Sequence, residues 1–448
     1  MKYVLSLLVL AFGSYSFGSQ TEPPVSWRKP NIVFILADDL GWGDVGFHNS
    51  QIETPHIDFL AKSGVRLSQH YVSPMCTPTR VSLLTGCYPS RFGDRAIKPS
   101  NIQVMPFDTV TLASALKSVG YKTAISGKWH LGCAQECGPL KFGFDNSYGT
   151  LAGGVGPYTH LYKKGAFSAT WHRNDILIEE EGHTTDLIAR EAVRDIINAK
   201  NAPLFLYLAF TAVHVPVVAP QKWVDYYKEK IQDESYRHYA AYTSHMDEGI
   251  GKVIDALRHT GKFKNTVFVF TSDNGSFPKW APRGKYPGKY RSMERLGSNL
   301  PYRGYKAQLY EGGIRSPTAV YWPGVIEGNR RIDTAVDIVD WMPTLCSIAG
   351  YTPKKDLRWD GRNILPLLKG EEATSASRTF YWKFINGEKA LRSGDWKLII
   401  QKGRSELYNI ASDPYEKKDV AVQFPERVKE LKALLSKAAL RDGDVEVQ

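Results

Sequence analysis

Cysteine is scarce in this chain of 448 residues: it occurs five times, at Cys76, Cys87, Cys133, Cys137 and Cys346. An odd number leaves at least one thiol unpaired, and no Cys/His group has zinc-finger spacing, so neither a complete disulfide framework nor a structural zinc holds the chain together. Cys133 and Cys137 are near enough to bridge a local loop or to stay as two thiols. Long apolar runs are missing too. The run from Tyr3 to Phe12, behind Met1-Lys2 and ahead of Ser16 and Gly18, is too short for a bilayer and reads as a signal peptide over residues 1–18. This predicts an exported protein, periplasmic or secreted, with no stable membrane span. Repeats and low-complexity tracts are absent, and a composition of 43% hydrophobic and 23% charged residues excludes a disordered chain.

Acidic residues are the minority: 57 Lys and Arg face 46 Asp and Glu, a net charge of +11. A basic surface suits an acidic polymer, and export makes nucleic acid a poor fit, so an acidic polysaccharide is the expected partner. Buried strands alternate with amphipathic stretches along most of the sequence. Strands are predicted at Asn31 to Ala37, Tyr121 to Ser126, Leu204 to Phe210 and Thr266 to Thr271, with helices at Thr109 to Val119, Thr184 to Ala199 and Ala240 to Leu257. The pattern predicts an α/β fold with a large, mostly parallel central sheet flanked by helices and a site at the carboxyl ends of the strands. Late in the chain, short runs from Thr379 to Asn409 are separated by Asn-Gly, Ser-Gly-Asp and Lys-Gly-Arg turns and followed by a helix from Pro425 to Ala439. This is expected to be a smaller C-terminal domain of antiparallel sheet plus helix, covering 373–448 after a catalytic domain at 28–372.

The segment Cys76-Thr77-Pro78-Thr79-Arg80, running on to Leu84-Thr85-Gly86, reads as a short helix with Pro78 in its first turn and Gly86 as its stop. A cysteine at a helix N-terminus with an arginine one turn along suits an anionic substrate and an activated nucleophile. Other chemistry-bearing residues fall where strands end. Asp38 and Asp39 follow the first strand, and Asp273 and Asn274 follow Thr266 to Thr271. Adjacent carboxylates repel unless a cation lies among them, and hard oxygen donors select Ca²⁺ or Mg²⁺ over zinc, with Ca²⁺ preferred here. Read alone, the Asp pair has a lesser alternative, a helix cap in a solvated loop. Lys128 and His130 sit two apart after another strand, where an extended backbone gives them one face. His214 follows Leu204 to Phe210, and Lys306 lies beside a glycine-bearing stretch, Lys306 to Gly313.

Taken together, Asn31 to Gly43, Cys76 to Gly86, Gly127 to Gly132, His214, Asp273 to Gly275 and Lys306 to Gly313 resemble the formylglycine-dependent sulfatases of the alkaline phosphatase superfamily. The resemblance implies an alkaline-phosphatase-like fold and conversion of Cys76 to Cα-formylglycine by a formylglycine-generating enzyme. It further implies calcium bound by Asp38, Asp39, Asp273, Asn274 and the modified Cys76. Arg80 and His130 would hold the formylglycine, and Lys128, His214 and Lys306 would grip the sulfate. Local strings such as Asp38 to His48 and Leu204 to Ala209 are similar to the N-acetylgalactosamine 4-sulfatase (arylsulfatase B) branch, which implies a galacto-configured glycosaminoglycan or algal galactan. Between Asn274 and Lys306, the residues Trp280, Arg283, Tyr286, Tyr290, Arg291 and Arg295 are expected to form substrate subsites, rings stacking on sugars and arginines pairing with further anions. The rival readings are a phosphatase or phosphodiesterase of the same superfamily and a non-catalytic sulfated-glycan-binding protein.

Overall fold

The computed structural model describes residues 29–371 and 378–446. The leader over 1–18 and the expected domain boundary at 372/373 lie outside the described residues. No described helix is long and apolar enough to cross a membrane.

At the centre runs the strand Asn31–Ala37, hydrogen-bonded in parallel register to Leu204–Ala209 on one side and Thr266–Ser272 on the other. Every residue of it is buried. Side chains alternate between faces: Val33 and Ile35 pack toward the helices Thr184–Asn198 and Glu234–His259, while Ile32, Phe34 and Leu36 pack toward Cys76–Thr85, Leu112–Ser118 and Trp341–Ala349. Burial on both faces is why the strand reads as a continuous apolar run, each such side chain contributing about 1.5–3 kcal/mol.

Among the described residues ten strands make this sheet, and its middle is parallel. Leu204–Ala209 also pairs with Lys122–Lys128, which pairs in turn with Asn146–Thr150. Antiparallel strands enter toward the rims: Thr318–Tyr321 between Thr266–Ser272 and Val65–Leu67, and Trp171–Arg173 beside Asn146–Thr150. The registers Ala37↔Ser272, Leu36↔Ala209 and Gly127↔Ala209 bring four carboxyl ends level. Gly127 is required there, because a Cβ on it would stand 1.7 Å from the Ala209 carbonyl oxygen.

The C-terminal region forms a four-stranded antiparallel meander, Thr379–Lys383, Lys389–Ser393, Trp396–Gln401 and Arg404–Asn409. One face, through Tyr381, Leu391, Leu398 and Leu407, packs on Leu431 and Leu435 of the helix Pro425–Ala439. The other, through Phe380, Trp382 and Ile399, packs on Tyr71, Leu309 and Ile314, behind the segment that carries Lys306.

Candidate active site

Cys76 opens the helix Cys76–Thr85, with Met75 at the cap in extended conformation and Gly86 closing it at φ 69°, a left-handed position that favours glycine. Every residue of this helix is buried, so its polar side chains must find partners inside. They tie the strand ends together. The Thr79 hydroxyl donates to the Asp273 carbonyl at 2.6 Å, and the Thr77 hydroxyl donates to the His130 carbonyl at 3.0 Å. Arg80, fully buried, donates through Nη2 and Nε to Asp273 Oδ2 at 2.8 and 3.2 Å, and through Nη1 to the Lys128 carbonyl at 2.8 Å.

Around Cys76 the acids and cations interleave. Lys128 Nζ lies 2.7 Å from Asp38 Oδ2, and Lys306 Nζ lies 2.6 and 2.8 Å from the two oxygens of Asp39. The Cys76 sulfur is 3.6 Å from both Asp38 Oδ1 and Lys306 Nζ. Asp39 reaches this position at φ 63°, and its backbone N–H donates to Asp273 Oδ1 at 3.2 Å. His214 Nε2 stands 3.7 Å from Asp39 Oδ2, while its Nδ1–H donates to the Val215 carbonyl at 2.7 Å and leaves Nε2 as an acceptor. All ten residues singled out from the sequence converge here. Lys128 and His130 do so by a different route from the extended backbone expected of them, because His130 adopts φ 60° directly after the strand.

The electrostatics overturn one expectation. Burial pushes the Cys76 thiol up to about 12, and Asp273 adds to that rise against Lys128 and Lys306. The helix N-terminus therefore does not activate the thiol, since desolvation and neighbouring carboxylates outweigh it. Burial also lifts Asp38 to about 7, with Lys128 opposing. At Asp39 burial works upward as well, yet Lys306, His214 and Lys128 together hold the carboxyl below its ordinary range. Burial keeps His130 and His214 well below the usual imidazole value, so both rings are neutral. The His130 Nδ1 is buried without a hydrogen-bond partner among the described residues.

Ligand atoms of Asp38, Asp39, Cys76 and Asp273 all lie within 4.8 Å of one another, and all four residues are buried. Asn274 donates through Nδ2 to Asp39 Oδ1 at 2.8 Å, but its Oδ1 is buried with no hydrogen-bond partner. An orphaned amide oxygen beside three carboxylates fits a hard divalent cation, which would satisfy an acceptor that no donor among the described residues reaches.

Several contributors escaped sequence reasoning. A Cβ on Gly153 would stand 2.4 Å from His130 Nε2, and one on Gly154 would stand 2.8 Å from His214 Nδ1, so these glycines let backbone press against both histidines. The Gly-Gly pair just beyond the strand Asn146–Thr150 was the available signal. Lys163, over the Tyr162 ring at 5.1 Å, is held below the usual lysine value by burial and by repulsion from Lys306 and Lys128. The loop expected to offer open rings is different in detail. Tyr286 is buried and packs edge-on to Tyr162 and Trp280, and the Tyr290 hydroxyl donates to the Pro287 carbonyl. Arg291 pairs with Glu234 at 2.6 Å, and Arg295 lies over Tyr236. Tyr286 belongs to the apolar cluster beneath the loop, and Trp280 and Tyr290 pack at its edge, partly buried. Cys133 and Cys137 are free thiols here, both buried.

Comparison with known proteins agrees with this geometry. The family described as Sulfatase matches residues 30–351, and the one described as N-sulphoglucosamine sulphohydrolase, C-terminal, matches residues 304–441. Mouse Arylsulfatase J is 34% identical, over 91% of this chain and 75% of its own length. Mouse N-acetylgalactosamine-6-sulfatase is 34% identical over 77% of this chain and 67% of its own. The solved structure of Ps i-CgsB in complex with k-i-k-neocarrahexaose superposes with a TM-score of 0.84 at 31% identity, covering 94% of this chain and 95% of that one.

Proposed function

Because this chain belongs to the sulfatase family and is a sulfuric ester hydrolase, we propose that it removes sulfate from a galacto-configured sulfated polysaccharide or oligosaccharide, using a formylglycine at position 76 and Ca²⁺. The observation that carries this reading is the buried set Asp38, Asp39, Cys76 and Asp273, flanked by two lysines and two neutral histidines. The relative named N-acetylgalactosamine-6-sulfatase and the neighbour bound to k-i-k-neocarrahexaose support the choice of sugar.

In this reading Asp38, Asp39, Asp273, Asn274 and the side chain at position 76 hold the cation, which supplies Lewis-acid stabilisation of charge on the sulfate oxygens. The thiol of Cys76 is too weak an acid to serve, whereas a hydrated formylglycine supplies an oxygen nucleophile. Lys128 and Lys306 keep their charge, because Asp38 and Asp39 overcome the burial that opposes it, and they grip the sulfate. Arg80 locks Asp273 in place. His130, neutral and with Nδ1 unpartnered, accepts a proton from position 76. His214, in the form protonated at Nε2 that its depressed value confines to acidic pH, gives one to the departing sugar oxygen, and general acid–base assistance of this kind is worth about 10²–10⁴-fold. Maturation by a formylglycine-generating enzyme, export through residues 1–18, and division into a catalytic domain at 28–372 and a C-terminal domain at 373–448 belong to the same proposal.

The test is intact-mass measurement for conversion of Cys76 to the aldehyde, with turnover of sulfate and phosphate esters compared side by side. Cys76→Ala is expected to abolish sulfate release while leaving the thermal transition unchanged. Substantial sulfatase activity in that variant would overturn the assignment.

A further inference from the structure

Three residues beyond Asp39, Trp42 lines a second pocket of about 530 Å³, and none of the ten active-site residues lines it. Part of its wall is the edge of the great sheet. There Val65–Leu67 and Arg330–Ile332 run parallel with Arg66 in register with Arg331, and both side chains line the pocket. Like charges in register on neighbouring strands repel unless something compensates them. Arg331 has Asp333 at 2.6 Å, a pair whose side chains are 65% and 61% exposed and therefore heavily screened. Arg66 is half-buried and makes no hydrogen bond or ion pair among the described residues.

Another part of the lining is aromatic. Trp42 meets Tyr302 edge-on at 4.9 Å, and Tyr302 lies 5.9 Å from Tyr415. A third guanidinium, Arg315, lies 4.4 Å from the Tyr302 ring and 5.4 Å from the Trp42 ring; it donates through Nε–H to the Ser68 carbonyl at 2.7 Å and its charge is met by Glu311 at 3.2 Å, so it braces the rings and leaves the anion to Arg66 and Arg331. A concave site that joins the unpaired Arg66 and the weakly compensated Arg331, with Asp333 the carboxylate beside them, to the Trp42 and Tyr302 rings suits a ligand that carries an anion on an apolar-faced ring. A bare anion would leave the aromatic side unused.

We propose that this pocket is a second, non-catalytic binding site for a sulfated saccharide unit, with Arg66 and Arg331 holding the sulfate and the Trp42–Tyr302–Tyr415 wall packing against the sugar. The ligand class is taken from the hydrolytic reading, but the pocket itself requires no turnover.

The experiment is calorimetric titration of a sulfated galactan hexasaccharide into protein carrying Cys76→Ala, with Arg66 intact or replaced by Ala or Lys. Two binding events are expected with Arg66 intact. Arg66→Ala should remove one or weaken it at least tenfold, Arg66→Lys should weaken it less, and 4-nitrophenyl sulfate turnover by Arg66→Ala in the otherwise unaltered chain should be unchanged. An unchanged stoichiometry and affinity in both Arg66→Ala and Arg331→Ala would overturn the proposal, as would equal competition by the desulfated hexasaccharide or by inorganic sulfate. If the unaltered chain turns over no sulfate ester while the Arg66-dependent event persists, the hydrolytic reading fails and the second site stands.

Discussion

Lys397 on the C-terminal sheet joins Glu311 at 2.9 Å and Glu416 at 2.8 Å, with none of the three side chains exposed. Glu416 also accepts the backbone N–H of Glu311 at 2.7 Å, so one ammonium fixes the segment that begins at Lys306. Lys397→Met would leave Glu416 buried without its cation and Glu311 with Arg315 alone, a loss of about 3–5 kcal/mol. Urea unfolding should show it as a lowered midpoint, and the double variant Lys397→Met/Glu311→Gln should recover part of the loss. A midpoint within error of the parent would contradict the clamp.

In the proposed mechanism His214 is the group expected to set the pH dependence of turnover. A histidine held below its ordinary value carries its proton only at acidic pH, and that proton is lost as pH rises. The kcat/KM for a sulfated sugar should therefore fall from acidic toward neutral pH, and His214→Gln should remove that fall. The variant should lose more rate on the sugar than on 4-nitrophenyl sulfate, whose leaving group needs little help from an acid. Equal losses on both substrates would argue for a binding role instead.

His70 couples stability to acid. Its Nε2 accepts the Trp341 indole N–H at 3.0 Å, and burial pushes the ring down to about 3. Between that value and the ordinary value of about 6.5 the unfolded chain binds more protons than the folded one, so stability falls as pH is lowered through this window, by up to about 1.4 kcal/mol per unit. His70→Gln should flatten this slope in denaturation midpoints measured from pH 6.5 to 4. A slope that survives the substitution would have to come from other groups.

Chelation should lower both activity and thermal midpoint, because a cation bound only by the folded chain adds stability by mass action and Asp38, Asp39 and Asp273 lose their screening without it. Adding back Ca²⁺ should restore both and Zn²⁺ should not. Full activity after exhaustive dialysis against a chelator would exclude the metal.

Much of this site was legible in the sequence because its polar residues sit next to the strongest local signals. Asp38 and Asp273 each end a strand with no exposed residue, and Cys76 begins a helix stopped by a glycine. What was not legible depends on tertiary environment. The thiol of Cys76 reads as activated from its helix position, and only burial beside Asp273 reverses that. The ring of Tyr286 reads as open from the sequence, and only the fold shows it buried against Tyr162 and Trp280. The contribution of Gly153 and Gly154 requires knowing what presses against them. Arg66 and Arg331 are far apart along the chain, and only the edge-strand register makes them neighbours.

The burial of Cys76 also has a consequence in time. Its helix is sealed by Asp273, whose carbonyl Thr79 reaches across 194 residues of sequence, and by a central sheet made of equally distant strands. Such long-range pairing closes late and slowly. Any enzyme that alters Cys76 must reach it before that closure, so the topology leaves an interval during synthesis and folding in which the residue is open to modification, and the finished molecule offers none.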